Sequence, residues 1–184
     1  MSSPAPEAWA DAVAVLAGLK PLGIAPRRRT VLIIDAPADM DIARWPLVTD
    51  IGETFYFKPE SGRLLVSPAD ETPAPPGDAQ PEELDVAEAV ARLEAATTLS
   101  VARVRRKWAG LRSFAPDRSL VLGPDPAERS FVWAAGQGGY GIQTAAAAGR
   151  CVAALARGEG LPRDLAALGL TSGEVLPDRL RWAG

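Results

Sequence analysis

The 184-residue chain contains no histidine, a single cysteine and no excess of basic residues. Without histidine it cannot build the Ser-His-Asp or Cys-His arrangements of many hydrolases, and it lacks the commonest ligand of zinc and haem. Because Cys151 is alone, the chain can form neither an internal disulfide nor a thiolate cluster. We therefore predict no metal site and a cytoplasmic location.

Charge and hydropathy argue against two classes of partner. Twenty Lys and Arg residues against 23 Asp and Glu residues give a net charge of −3, which provides no general attraction to nucleic acid or to an anionic membrane. No apolar run reaches the ~20 residues that a transmembrane helix needs. The basic stretch 103–107 is interpreted as the solvated face of a strand. We expect no nucleic-acid partner and no transmembrane segment.

Proline is abundant, at 17 of 184 residues, and predicts many sharp connections. Hydrophobic periodicity predicts helices over 7–19, 84–96 and 144–157, and strands over 30–35, 54–58, 63–67, 101–111, 120–122 and 130–135. Residues 59–62 are predicted to turn a hairpin, and Asp85 and Glu88 have the spacing of a capping box. These elements predict an α+β (mixed α/β) fold with an antiparallel pair of strands.

A glycine-rich loop lies between a predicted strand and a predicted helix, where Gly136, Gly138 and Gly141 satisfy G-x-G-x-x-G. The second strand that would hold a ribose is not found, since residues 157–162 have the pattern of a helix end and a turn. We therefore do not expect a self-contained nucleotide-binding domain. Two interpretations stay open: backbone N–H groups that meet an electron-rich ligand, or a tight turn that only packs helix on strand.

Three segments together resemble the C-terminal part of the FAD-dependent D-amino-acid oxidase and glycine oxidase family. Gly-Leu-Arg occurs within 108–117, Leu-Gly follows at 122–123, and Gly-Gln-Gly-Gly-Tyr-Gly-Ile begins at Gly136. Ala-Trp-Ala at 8–10 and the aromatic stretch 55–60 resemble earlier parts of the same family. Where the family has a histidine in the loop and a proline after the arginine, this chain has Gln137 and Ser113.

The resemblance implies FAD as cofactor of the complete enzyme and oxidation of an amino acid or related amine by hydride transfer to the flavin. Arg112 would bind the substrate carboxylate, and the Tyr56 hydroxyl would donate a hydrogen bond near it. No catalytic side chain is implied, because the cofactor carries the chemistry. The residues implied to contact the flavin are Gly136, Gly138, Gly139, Tyr140, Gly141 and Ile142. Gly139 and Gly141 would bring the backbone close to the ring in dihedral angles open to glycine alone.

Each of these roles has a simpler alternative. Arg112 could be a structural or surface arginine, and Tyr56 could be an ordinary strand aromatic that packs with Phe55 or Phe57. The protein as a whole could be a non-catalytic binding module, or a vestigial one, that keeps the fold without turnover.

The resemblance also implies a division of the chain. Residues 1–20 would be a helix of the FAD domain, 21–112 a portion of the substrate-binding domain, 113–160 the closing strand, loop and helix of the FAD domain, and 161–184 a tail. We expect the family's N-terminal nucleotide-binding unit to be absent, so that this chain alone binds FAD weakly or not at all and is inactive. Surfaces that this unit would cover could drive self-association into a homo-oligomer.

Overall fold

The computed structural model describes residues 6–181. Residues 1–5 of the predicted first segment (1–20) and residues 182–184 of the predicted tail (161–184) lie outside this range. In chain order its elements are a 3-10 helix (Pro6–Trp9), α1 (Ala10–Leu16), β1 (Ala25–Ile34), β2 (Val48–Thr49), β3 (Tyr56–Glu60), β4 (Arg63–Ser67), β5 (Thr72–Pro73), α2 (Glu83–Ala96), β6 (Val104–Phe114), β7 (Val121–Pro124), β8 (Val132–Ala135), α3 (Gly141–Ala156), α4 (Arg163–Ala167), α5 (Ser172–Val175) and α6 (Asp178–Arg181). No helix among the described residues is long and apolar enough to cross a bilayer.

The chain divides into two compact units. The first, here called the sheet unit, comprises residues 28–111, and the second, the loop unit, comprises residues 6–27 and 112–181 within the described range. The predicted mixed fold with an antiparallel sheet is confirmed.

The sheet unit is built on a six-stranded sheet in the order β2-β3-β4-β1-β5, with β6 also paired to β1. Strands β1 and β4 are antiparallel, with Leu32 opposite Val66 and Ile34 opposite Leu64. All four of these side chains are buried, and the buried Leu93 of α2 belongs to the same apolar cluster. The apolar run predicted as a buried strand therefore forms the centre of this core.

The predicted antiparallel hairpin is confirmed, but the predicted length of four residues for its connection is wrong. Strands β3 and β4 pair as far as Glu60 opposite Arg63, so the connection is the two residues Ser61 and Gly62. Their φ angles of +51° and +76° are typical of a two-residue turn whose twist matches that of the strands it joins.

The predicted capping box at the start of α2 is also wrong. The N-cap residue is Glu82, which makes no side-chain cap hydrogen bond. Asp85 instead turns into the core, where it accepts hydrogen bonds from Arg28 Nε at 3.1 Å and from Thr30 Oγ1 at 3.2 Å. The buried guanidinium of Arg28 requires a counter-charge, and this requirement prevails over the local capping pattern.

The strand predicted over 101–111 forms as β6, but it begins and ends three residues later, at Val104 and Phe114, and both of its faces are solvated near its start. Arg105, Arg106 and Lys107 are all exposed. Arg105 pairs with Asp35 at 2.7 Å, and Lys107 forms an ion pair with Glu83.

The loop unit contains the antiparallel pair β7 and β8, with Leu122 opposite Ala134, and α3 packs on β7. The predicted helix begins three residues earlier than expected, at Gly141, so that it follows directly from the glycine-rich loop. It ends as predicted, since Arg157 is the C-cap residue and Gly158 adopts a φ of +75°. A buried carboxylate, Asp125, joins this hairpin to the last helix by accepting hydrogen bonds from Trp133 Nε1 at 2.9 Å and Arg181 Nη2 at 2.6 Å.

Candidate functional site

The glycine loop, residues 136–141, reverses the chain between the end of β8 and the start of α3. Gly136 and Gly138 have φ angles of +75° and +54°, which residues with a side chain adopt at a cost. Gly139 and Gly141 are not among the residues with positive φ, so the prediction of glycine-only dihedral angles at these two positions is wrong. Position 139 instead favours glycine because a side chain there would have too little room.

The end of β6 fills the space beside this loop. A Cβ atom on Gly138 would lie 2.6 Å from Phe114 Cε1, and one on Gly139 would lie 2.8 Å from Arg112 Nη1. Side chains alternate along a strand, so Arg112 and Phe114 share one face of β6 and both contact the loop. Glycines 138 and 139 therefore allow the guanidinium and the phenyl ring to lie directly against the loop backbone.

Backbone hydrogen bonds hold the loop in this position. The Gly138 N–H donates to the carbonyl of Ser113 at 2.9 Å, and the Tyr140 N–H donates to the carbonyl of Gln137 at 3.0 Å. The Gln137 N–H donates to the carboxylate of Glu7 in the 3-10 helix. The first half of the loop is thus bound to β6 and to the start of the chain.

The second half of the loop presents the N-terminus of α3. Its N-cap residue, Tyr140, makes no side-chain cap hydrogen bond, and the first N–H groups of any α-helix lack intrahelical partners. These N–H groups and the helix dipole favour an electron-rich or anionic group. Tyr140 is exposed, and Ile142 is 98% exposed, so the side chains of both residues at this end of the loop are accessible to solvent.

A second arginine approaches the same region of the loop unit. The Arg118 guanidinium carbon lies 4.3 Å from the centre of the Phe114 ring, within cation–π range. Arg118 has a φ of +63°, an uncommon value for a residue with a side chain. The buried Phe114 ring therefore contacts both the glycine loop and a cation.

Tyr56 belongs to the sheet unit, whereas Arg112 and all six predicted flavin-contacting residues belong to the loop unit. Tyr56 lies in β3 opposite Thr49 and Ser67, and its side chain is half-buried. Phe55 and Phe57 stack on each other with ring centres 6.4 Å apart. Alternation along a strand places the side chains of Tyr56 and Phe57 on opposite faces of β3, and the role of Tyr56 stays a prediction.

Three residues of this region, Glu7, Phe114 and Arg118, had no predicted role. The Phe114 contact could have been anticipated from its position two residues after Arg112 in a strand. No local pattern indicates the contact of Glu7, because 130 positions separate it from Gln137.

Known proteins share this architecture. The solved structure of glycine oxidase from Geobacillus kaustophilus is 25% identical and superposes with a TM-score of 0.66 over 90% of this chain and 44% of that chain. L-proline dehydrogenase from P. horikoshii, at 21% identity, shows the same fold with a TM-score of 0.69 over 96% of this chain and 46% of its own.

A curated relative from Bos taurus, FAD-dependent oxidoreductase domain-containing protein 1, is 30% identical over 165 residues, which cover 79% of this chain and 33% of the relative. The chain thus spans about a third of that relative's length and less than half of each of the two solved chains. The family model for FAD-dependent oxidoreductases of the DAO type matches residues 5–155. The chain belongs to the DAO family of FAD-dependent oxidoreductases, whose cofactor is FAD.

Proposed function

We propose that this chain supplies the flavin-facing loop and the carboxylate-binding arginine of an enzyme that oxidises an amino acid or a related amine. The observation that carries the proposal is the position of the Arg112 guanidinium against the backbone at Gly139. It brings a cation suited to a substrate carboxylate to the same loop that offers N–H donors to a flavin. The loop unit would be the portion of the FAD domain in this chain, and the sheet unit the portion of the substrate-binding domain.

The residues of the loop fit a flavin. A side chain at position 138 or 139 would collide with Phe114 or Arg112, so these two positions of the loop present backbone alone. FAD, when bound, supplies the two-electron oxidation. We propose that the N–H groups at the start of α3 face the pyrimidine side of the ring, where they would favour the negative charge of the reduced form. Gly136, Gly138, Gly139, Tyr140, Gly141 and Ile142 would be the contacting residues.

Arg112 would bind and orient the substrate. Its planar guanidinium can form two parallel hydrogen bonds with a carboxylate, which fixes the direction of the substrate as well as its position. Tyr56 is proposed to contribute to substrate binding through a hydrogen bond donated by its hydroxyl. An amine that enters as its free base can lose a hydride without a protein base, so the absence of histidine from the sequence is compatible with this reaction.

The proposed contacts predict how tightly this chain binds different flavins. The contacts proposed for this chain are to the ring, so FAD and riboflavin should bind to the 184-residue chain with similar and weak affinity. A fluorescence titration with each flavin measures both constants. FAD binding much tighter than riboflavin binding would reveal a site for the adenosine diphosphate half and would contradict this assignment.

Substrate binding is tested in the flavin-loaded enzyme that includes this chain. Pairs of amines that differ by one carboxylate, such as proline and pyrrolidine, are compared by reduction of flavin absorbance under anaerobic conditions. Wild type should favour the carboxylated member, and Arg112→Ala should abolish that preference. Arg150→Ala is the control, because Arg150 is an exposed arginine of α3 that pairs with Asp164. Reduction by neither amine, in an enzyme that holds flavin, would favour the non-catalytic module.

A further inference from the structure

The start of the glycine loop is bound to a carboxylate from the other end of the chain. Glu7 Oε1 accepts a hydrogen bond from the backbone N–H of Gln137. This donor is a backbone group of the loop and lies before the first turn of α3. Glu7 therefore contacts the loop at its start and leaves its helical end open.

The environment of Glu7 distinguishes it from a surface carboxylate. Burial raises the pKa of its carboxyl group above the ordinary value, although the hydrogen bond from Gln137 acts in the opposite direction. A partly buried carboxylate needs hydrogen-bond donors to replace the water that it has lost, and these charge-assisted bonds restrain the donor groups as well. A hydrogen bond to a charged acceptor is stronger than one to a neutral acceptor, so this contact restrains the loop more than a neutral turn would.

The contact also decides which N–H groups a ligand can use. Gln137 donates to Glu7, Gly138 donates to Ser113, and Tyr140 donates to the Gln137 carbonyl. The N–H groups of the first turn of α3, which begins at Gly141, have no partner within that helix. A flavin carbonyl would find its donors there rather than at the start of the loop.

We propose that Glu7 is a positioning residue for the glycine loop: it holds the N–H group of Gln137, so that the donors left for a flavin lie later, from Gly139 to the start of α3. The statement about the flavin rests on the proposed function, whereas the statement about the loop does not. A carboxylate so close to the ring-facing loop would also oppose the negative charge of a reduced flavin, so it should lower the reduction potential.

The chain contains a well-matched control. Asp11 lies in α1, four residues after Glu7, and its carboxylate also accepts backbone hydrogen bonds, from Leu22 at 3.0 Å, Gly23 at 2.8 Å and Ile24 at 2.9 Å. Asp11→Asn therefore removes the same charge from a nearby carboxylate that holds a different loop. Glu7→Gln keeps the size and the accepting oxygen of Glu7 but removes its charge, and Glu7→Ala removes the acceptor.

The contact is tested first in the 184-residue chain by amide hydrogen exchange and ¹H–¹⁵N NMR. Glu7→Ala should accelerate exchange at Gln137 by about tenfold or more, which corresponds to the loss of a hydrogen bond to a charged group. Glu7→Gln should shift the Gln137 amide signal with a smaller change in exchange. Asp11→Asn should leave the Gln137 signal unchanged. Unaltered exchange at Gln137 in Glu7→Ala would overturn the proposal.

The second measurement uses the flavin-loaded enzyme and its reduction potential. Glu7→Gln should raise the potential relative to wild type, and Asp11→Asn should leave it unchanged. Equal potentials in Glu7→Gln and wild type, in an enzyme that binds flavin, would overturn the statement about the flavin. The two statements can fail separately. If no form of the enzyme binds flavin, the proposed function is refuted. If amide exchange in the loop is still slower in wild type than in Glu7→Ala, the role of Glu7 in the loop is supported.

Discussion

The adjacent glycines Gly138 and Gly139 should respond differently to replacement by alanine: the first mainly in stability, the second mainly in substrate affinity. Gly138 has a φ of +54°, and alanine in this region costs roughly 1 kcal/mol or more. The new Cβ would lie 2.6 Å from Cε1 and 3.0 Å from Cδ1 of Phe114, a buried ring in the interior of the loop unit. Overpacking of this kind costs about 1–3 kcal/mol, so Gly138→Ala should lose about 2–4 kcal/mol of unfolding free energy.

Gly139→Ala differs in both respects. Gly139 is not among the residues with positive φ, and the atom its Cβ would meet is Arg112 Nη1, the far end of a flexible side chain, at 2.8 Å. The guanidinium can move aside, so the loss of stability should stay below about 1 kcal/mol. The displaced guanidinium would no longer align with a carboxylate, and the affinity for a carboxylated substrate should fall by about tenfold or more.

Urea unfolding followed by tryptophan fluorescence measures the stabilities, and the anaerobic substrate titration measures the affinity. Gly149→Ala serves as control, because no atom lies within 4 Å of the added Cβ and alanine favours a helix interior by up to about 1 kcal/mol. The reasoning is refuted if Gly138→Ala is as stable as wild type, or if Gly139→Ala loses as much stability as Gly138→Ala.

Three further variants test the site and the two cores. Arg112→Ala should lower kcat/KM for a carboxylated substrate by about a hundredfold in the flavin-loaded enzyme, and unchanged steady-state kinetics would remove this residue from the site. Asp85→Ala should cost about 3 kcal/mol in urea unfolding, because it leaves the buried Arg28 short of a counter-charge; a loss below 1 kcal/mol would contradict that role. Burial alone would raise the pKa of Asp125, but hydrogen bonds from Trp133 and Arg181 lower it overall. Its charge therefore stabilises the fold above the ordinary pKa of about 3.9 and ceases to do so as pH falls through the lowered pKa. The stability difference between wild type and Asp125→Asn should thus be largest at pH 7 and shrink towards pH 3, whereas a constant difference would argue against a charged Asp125.

Local patterns predicted the elements of this protein well. The alternating and apolar runs at 30–35, 54–58 and 63–67 correspond to β1, β3 and β4, and the amphipathic stretch 84–96 corresponds to α2. These elements follow from short-range properties, namely the period of side-chain burial and the dihedral preferences of neighbouring residues. The helix end at Gly158 was predictable for the same reason, since a glycine at this position relieves a local conformational cost.

Predictions failed where a distant partner competed with a local preference. Asp85 has the spacing of a capping residue, yet it is drawn into the core by Arg28, which lies 57 positions earlier. Gly139 was expected to need a special dihedral angle, whereas the structure shows that it makes room for Arg112. In both cases the decisive group is remote in sequence, and no window of neighbouring residues contains it.

The candidate site shows the same division. By itself, the sequence determined that a strand, a glycine loop and a helix follow one another at 132–156, because each depends on residues within a few positions of itself. The tertiary structure alone decided that Arg112 and Phe114 lie against that loop and that Glu7 holds its start. The physical reason is that backbone conformation is largely a local property, whereas the identity of a contacting side chain depends on how all the apolar surfaces of the chain are buried together.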